Sequence, residues 1–161
     1  MPSLLYSLDY FSRNAIVGSA EEVRTSILHI LRSARRNNAN RGVTGALVFS
    51  DGCFAQVLEG ARDDVEAVFE SIQCDPRHCE VTILHLRPIE ARSFGAWSMA
   101  FGGIDGVSID HGVVENAMGQ VESIVATEAG RNLLATLRSV VHRDELDRQK
   151  RAGVGEAPLQ R

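Results

Sequence analysis

The chain has 161 residues, 44% hydrophobic and 24% charged, the make-up of a soluble protein with one buried core and room for a small appendage. A formal net charge of −4 argues against the basic surface that nucleic acid or an anionic membrane selects, so neither is an expected partner. No apolar run approaches the about 20 residues that span a bilayer, and Met1 to Phe11 lacks a basic leader, which points to the cytoplasm.

Ser3 to Tyr10 alternates, with Leu4, Tyr6, Leu8 and Tyr10 on one face, and reads as a first strand. Ser19 followed by Glu21 and Glu22 opens a helix whose apolar stripe is Val23, Ile27, Ile30, Leu31 and Ala34. That helix closes in the polar run Arg35 to Arg41, where Gly42 supplies a left-handed stop and Asn38 has the simple reading of a cap. Val43 to Phe49 and Cys53 to Leu58 are strands of a hairpin turned by Asp51-Gly52. Asp63 to Gln73 is a second helix with Val65, Val68, Phe69 and Ile72 inward, broken by Asp75-Pro76-Arg77-His78. Val81 to Leu86 is a fourth strand and Ala96 to Phe101 a fifth.

The order βαββαβ predicts an α+β, ferredoxin-like sandwich: a five-stranded sheet with two helices on one face. The other face needs a cover, and Gly112 to Ala126 and Arg131 to His142 are candidate amphipathic helices that dock on the sheet or on a partner. The expected boundaries are residues 1–103 for the sandwich, 104–143 for a helical extension and 144–161 for a disordered, charged tail. The three cysteines, Cys53, Cys74 and Cys79, are odd in number and lack a C-x-x-C spacing, so free thiols are expected rather than a disulfide framework or a zinc site.

One residue breaks the strand pattern. Phe54, Gln56 and Leu58 share a face, so a core-facing strand buries the Gln56 amide, whose donors and acceptor then need partners. Tyr10, Asn38, Trp97 and Met99 are further polar, aromatic or sulfur-bearing residues at positions the sandwich buries. Each has a bland explanation alone, as a rim tyrosine, a helix cap or plain packing.

In order along the chain, however, Tyr10-Phe11-Ser12, Ser33 to Asn38, Gly42-Val43-Thr44-Gly45, Phe54 to Gly60, Asp75-Pro76-Arg77-His78 and Arg92 to Met99 resemble the BLUF family, blue-light sensors that use a flavin. The resemblance covers about Leu4 to Phe101. It implies a flavin held between the two helices, FAD with FMN as the alternative. Tyr10 would be the redox-active phenol, and Gln56 would bridge it to the flavin. Met99 or Trp97 would close the pocket beside Gln56. Ser12, Asn37, Asn38, Asp75, Arg77 and His78 would complete the cofactor-binding set. Tyr6 shares the face of Tyr10 and is a rival that periodicity leaves open. Ser71 stands where some relatives carry a basic residue toward the flavin tail, and the Arg35–Arg36 pair reads as a solvated helix end.

The implied function is a photoreceptor rather than an enzyme. An electron and a proton leave Tyr10, and the Gln56 amide ends rotated or tautomerised. The residues after the sandwich read as helices rather than as a fused catalytic domain, which implies a homo-oligomer signalling to a separate effector protein. Two other classes stand beside it: a small flavin oxidoreductase, although no Gly-rich dinucleotide fingerprint is present, and a cofactor-free regulatory module in which Gln56 bonds only to backbone.

Overall fold

The computed structural model describes residues 4–50, 52–95, 99–103 and 127–153. Its elements are β1 (Leu5–Asn14), α1 (Ala20–Arg41), β2 (Thr44–Ser50), β3 (Cys53–Ala61), α2 (Arg62–Gln73), β4 (His78–Ile89), β5 (Ala100–Gly103) and α3 (Glu128–Gly153). Four strands form an antiparallel sheet in the order β4-β1-β3-β2, and β5 adds in parallel to the free side of β2. β3 is thus inserted between β1 and β2, the arrangement of a split βαβ unit.

Local chemistry sets the boundaries. Ser19 and Glu22 form a reciprocal capping box at the start of α1. Gly42, at φ 64° and ψ 27°, ends the helix in the left-handed region. Asn38 is therefore not the cap: it lies one turn inside α1, and its carbonyl accepts from Val43 N at 2.9 Å. At Gly45 a Cβ would sit 2.0 Å from the Val57 carbonyl, so only glycine lets β2 approach β3 this closely.

Both faces of the sheet are covered, and alternation along β3 assigns its residues to them. Phe54 and Leu58 join Leu8, Tyr10, Ile27, Leu31, Val65, Phe69 and Met99 in a core beneath α1 and α2. Cys53, Ala55 and Val57 face the other way, into a second core with Ala46, Val48, Phe94 and Leu133, Leu134 and Leu137 of α3. A strand buried on both faces tends to read as an apolar run, and β3 does so except at Gln56 and Glu59.

Three expectations need correction. α3 continues through residues 144–153, which composition had assigned to a tail; Glu, Arg, Lys, Gln and Leu are good helix formers, so a charged run can be a solvated stretch of helix. β1 runs on past Tyr10 because it pairs along the whole of β3, and β4 extends beyond Val81–Leu86 because it is an edge strand whose residues are mostly exposed and so carry little alternation. β5 is Ala100–Gly103, which runs past the expected end at Phe101 and leaves Met99 just before it. Ala96, Trp97 and Ser98, the expected helix at 112–126 and residues 154–161 lie outside the described residues.

β4 is also irregular. Its register against β1 shifts twice, between Asp9 and Tyr10 and between Phe11 and Arg13, and Glu80 has φ 51°, unusual for a residue with a side chain. The second shift leaves His78 opposite Asn14. The His78 ring is thereby brought to Ser12.

Candidate functional site

The site is built where β1 and β3 face α1 and α2. Tyr10 and Gln56 are direct register partners on neighbouring strands, so their side chains emerge side by side on the same face. The Tyr10 hydroxyl donates a hydrogen bond to Gln56 Oε1. The Gln56 amide nitrogen, on its other side, donates to Met99 Sδ at 3.2 Å. The misfit glutamine therefore has a partner at both ends, a phenol and a thioether. All three residues are buried, Tyr10 completely.

Burial, with the negative charge of Asp75 as a second cause, pushes the Tyr10 phenol well above its ordinary pKa. Tyr10 therefore keeps its proton at any working pH and acts as the donor of the pair. The Phe69 ring from α2 packs against it at a centroid distance of 5.5 Å. Tyr6, the sequence rival, lies at the far end of β1, paired with Gly60 and Pro88, under the guanidinium of Arg62.

Around this centre the polar residues form two further pairs. Ser12 Oγ lies 2.9 Å from His78 Nδ1, and the His78 ring packs on Phe54 at 4.8 Å. Burial is the largest influence on His78 and pushes its imidazole below the ordinary value. Asp75 and Arg77 form a bidentate ion pair, with Nε at 2.9 and 3.0 Å from the two carboxylate oxygens, and Asp75 also accepts from the Arg77 amide. The Arg77 guanidinium holds the Asp75 carboxyl below its usual range.

Asn38 projects from α1 into the core and is 1% exposed. Its Oδ1 receives no hydrogen bond, although the residue is held by other interactions. Asn37 and Arg36 are exposed, and Arg41 instead bridges to Asp64 of α2 at 3.7 Å. Ser71 bonds back to the Ala67 carbonyl of its own helix. Trp97 lies outside the described residues.

Some contacts were not anticipated from the sequence pattern. Arg35 is half-buried rather than solvated, and its Nε donates to the Met99 carbonyl at 3.1 Å. Its position, four residues after Leu31 and three before Asn38, puts it on the inward side of α1, a cue that helix periodicity did contain. Glu59 is 2% exposed, and its two oxygens accept the backbone amides of Ser93 and Phe94, both at 2.7 Å. Beside it Arg92 donates to Thr44 Oγ1, to the Glu59 carbonyl and to the Gly42 carbonyl at 2.9, 2.9 and 2.8 Å. Burial raises the Glu59 carboxyl, opposed by those two amides and by the charge of Arg92.

A phenol, two buried amides and a thioether can hold and redirect a proton, but they make no metal site: among the described residues no cluster of three or more His, Cys, Asp or Glu could hold an ion. Nor is any described helix long and apolar enough to cross a membrane.

Comparison with known proteins agrees with this arrangement. The family model "BLUF: Sensors of blue-light using FAD" matches residues 5–100. The photoactivated adenylate cyclase subunit beta of Euglena longa is 35% identical over 98 residues, which is 60% of this chain and 11% of that protein. The subunit beta of Euglena gracilis is 38% identical over 77 residues, 47% of this chain and 9% of that protein. The chain thus spans about a tenth of the curated relatives it matches. Among solved structures, the dark state of the BLUF protein BlrB superposes with a TM-score of 0.62 at 29% identity, covering 78% of this chain and 98% of that one. The photo-activated state of BlsA gives 0.60 at 29% identity, with 85% and 94% covered.

Proposed function

The chain belongs to the BLUF family of blue-light photoreceptors, which bind FAD, and from that premise we propose a light-driven hydrogen-bond switch in which Gln56 is the moving part. The observation that carries the proposal is the Tyr10 hydroxyl donated to Gln56 Oε1 within a fully buried core. When bound, the flavin supplies absorption of blue light and an acceptor for an electron.

The donor set fits such a ligand. A flavin's uracil-like edge presents carbonyl and N–H groups, and the buried amides of Asn38 and Gln56 complement both. Ser12, Asn37, Asp75, Arg77 and His78 are the proposed partners for the rest of the cofactor, with FMN as the alternative to FAD. Tyr10 is the proposed electron and proton donor. Its hydroxyl proton has a direct path along the hydrogen bond to Oε1. With that proton on Oε1 and an amide N–H proton given up in its place, the side chain would be the imidic tautomer, and once a proton and the electron return to Tyr10 it either stays in that form or is left as a rotated amide. Either outcome changes what Gln56 offers to Met99 on one side and to the cofactor on the other.

In this reading the BLUF unit is a sensor and turns over no substrate of its own, with residues 1–103 as the flavin-binding unit and the chain from 104 through α3 as its extension. The photoactivated cyclases among its relatives support the expectation of an effector, here proposed to be a separate protein acting on a homo-oligomer in the cytoplasm. A light-minus-dark absorbance spectrum of the purified, FAD-loaded protein tests the switch. A reversible shift of the flavin band to longer wavelength is expected, and it should vanish in Gln56→Leu; its survival there would refute the role given to Gln56.

A further inference from the structure

The last turns of α3 have no apolar seat on the sheet. Among the described residues the last buried side chain of this helix is Leu137, and Leu146 further on is 42% exposed. What these turns enclose with the sheet is instead a polar cavity of about 460 Å³, a size at which small-molecule sites occur. Arg13 of β1 lines it from the sheet, and Asp147, Arg148 and Arg151 line it from α3. Arg13 is the register partner of Cys53, which belongs to the core beneath α3, so Arg13 stands on the sheet face opposite Tyr10. The cavity is thus separate from the proposed flavin site. Glu80 of β4 engages the Arg13 Nε and orients its guanidinium. Arg148 and Arg151 are three residues apart and so are neighbours on one side of the helix.

We propose that this cavity binds a small phosphomonoester, with Arg13, Arg148 and Arg151 as the residues that take its phosphate. A guanidinium fork matches phosphate oxygens two at a time, and a tetrahedral phosphate can face forks from several directions, whereas a planar carboxylate is satisfied by one or two. Here the forks come from two elements far apart in sequence, the end of β1 and the last turns of α3. Three guanidiniums against two carboxylates, Glu80 and Asp147, leave an excess of one positive charge among the described lining residues. That balance suits one phosphate group rather than the dense negative charge of a nucleic-acid chain. The volume leaves room beside the phosphate for a body the size of a sugar, next to Asn14 and Gly52. Bound there, the phosphate joins the end of α3 to β1, a tie that the apolar seat ending at Leu137 does not supply.

Isothermal titration of the full chain tests this with two probes, ribose 5-phosphate and ribose, in saturating FAD so that neither probe enters the proposed flavin site. Saturable binding is expected of ribose 5-phosphate and none of ribose. Arg13→Gln and Arg151→Gln should each weaken binding about tenfold, the loss of one charge-assisted hydrogen bond. Arg131→Gln, exposed near the start of the same helix, should change it by less than about twofold. Bound ribose 5-phosphate should also slow hydrogen exchange at residues 147–151 in the wild type and not in Arg151→Gln. No binding by the wild type, equal binding of ribose, or an equal loss in Arg131→Gln overturns the proposal. Binding that leaves exchange at 147–151 unchanged puts the ligand elsewhere and overturns it as well. If Arg13→Gln fails to fold for want of its Glu80 pair, Arg151→Gln on the exposed last turn gives the same decision.

Discussion

The two faces of the sheet are built from alternate residues of the same strands, yet they carry different chemistry. The face beneath α1 and α2 buries Tyr10, Ser12, Asn38, Gln56 and His78 among its apolar side chains. Under α3 itself the other face is apolar, with Ala46, Val48, Ala55, Val57 and Phe94 against Leu133, Leu134 and Leu137, and its buried charge, Glu59, is set apart on the amides of Ser93 and Phe94. On the first face each buried polar atom constrains the next, because an unmet donor or acceptor costs about 1–3 kcal/mol. On the second, fit depends on volume, and a helix can shift its seat without breaking a directional bond. A light signal needs both: a face where one bond change is discrete, and a face that can respond to it.

That division can be broken most decisively at Gln56. Gln56→Leu should abolish the reversible spectral shift while lowering unfolding free energy by about 1–3 kcal/mol, since the buried Tyr10 hydroxyl is left without its acceptor. Denaturant titration alongside the spectrum checks both halves. The reciprocal change is Leu137→Ala on the α3 side, which should cost about 2–5 kcal/mol of stability through lost burial and a cavity, yet leave the shift in place. A folded Leu137→Ala protein without the shift would show that the faces are not separable.

Met99→Leu sits on the boundary between them. It conserves volume, so stability should fall by less than about 1.5 kcal/mol. It also removes the sulfur acceptor of the Gln56 amide, and a bond worth about 1 kcal/mol alters the dark-recovery rate by roughly fivefold, readable as the decay of the light-state absorbance. An unaltered rate would make the thioether passive packing.

The smallest expected effect is that of pH. Burial depresses the His78 imidazole below 6.5, so as the pH falls through 6.5 the unfolded chain takes up a proton that the folded chain resists. His78 therefore removes stability from about 6.5 down to its depressed pKa. Asp75 acts at lower pH: its depressed carboxyl contributes stability above 3.8 that is lost as the pH falls through its folded value. Replacing His78 with Gln should flatten the first slope in melting curves and leave the second.

The element order was legible from periodicity because hydrophobic alternation and turn residues act locally. The central pair was legible for a different reason. Gln56 stood out as a polar residue on an apolar strand, and the spaced motifs named Tyr10 as its partner, a match that the β1–β3 register then explains. Periodicity alone could not separate Tyr10 from Tyr6; the Tyr10-Phe11-Ser12 motif favoured Tyr10, and the register sets it opposite Gln56. The corner formed by Glu59, Arg92 and Ser93 was invisible, since side-chain bonds to a distant backbone leave no repeating signature. α3 was underestimated at its C-terminal end because a charged run reads the same whether it is a solvated helix or a tail.

The irregular outer strand has a consequence for how the molecule behaves in a crowd. β4 is twelve residues long, forms one edge of the sheet and leaves Ile83 47% and Leu86 39% exposed, the profile of a strand that recruits a neighbour's strand into aggregates. Its two register shifts and the left-handed turn at Glu80 bend the row of backbone donors and acceptors out of line. An incoming chain meets short, misaligned runs instead of a straight template, so the same bulges that bring His78 to Ser12 also guard the protein's solubility.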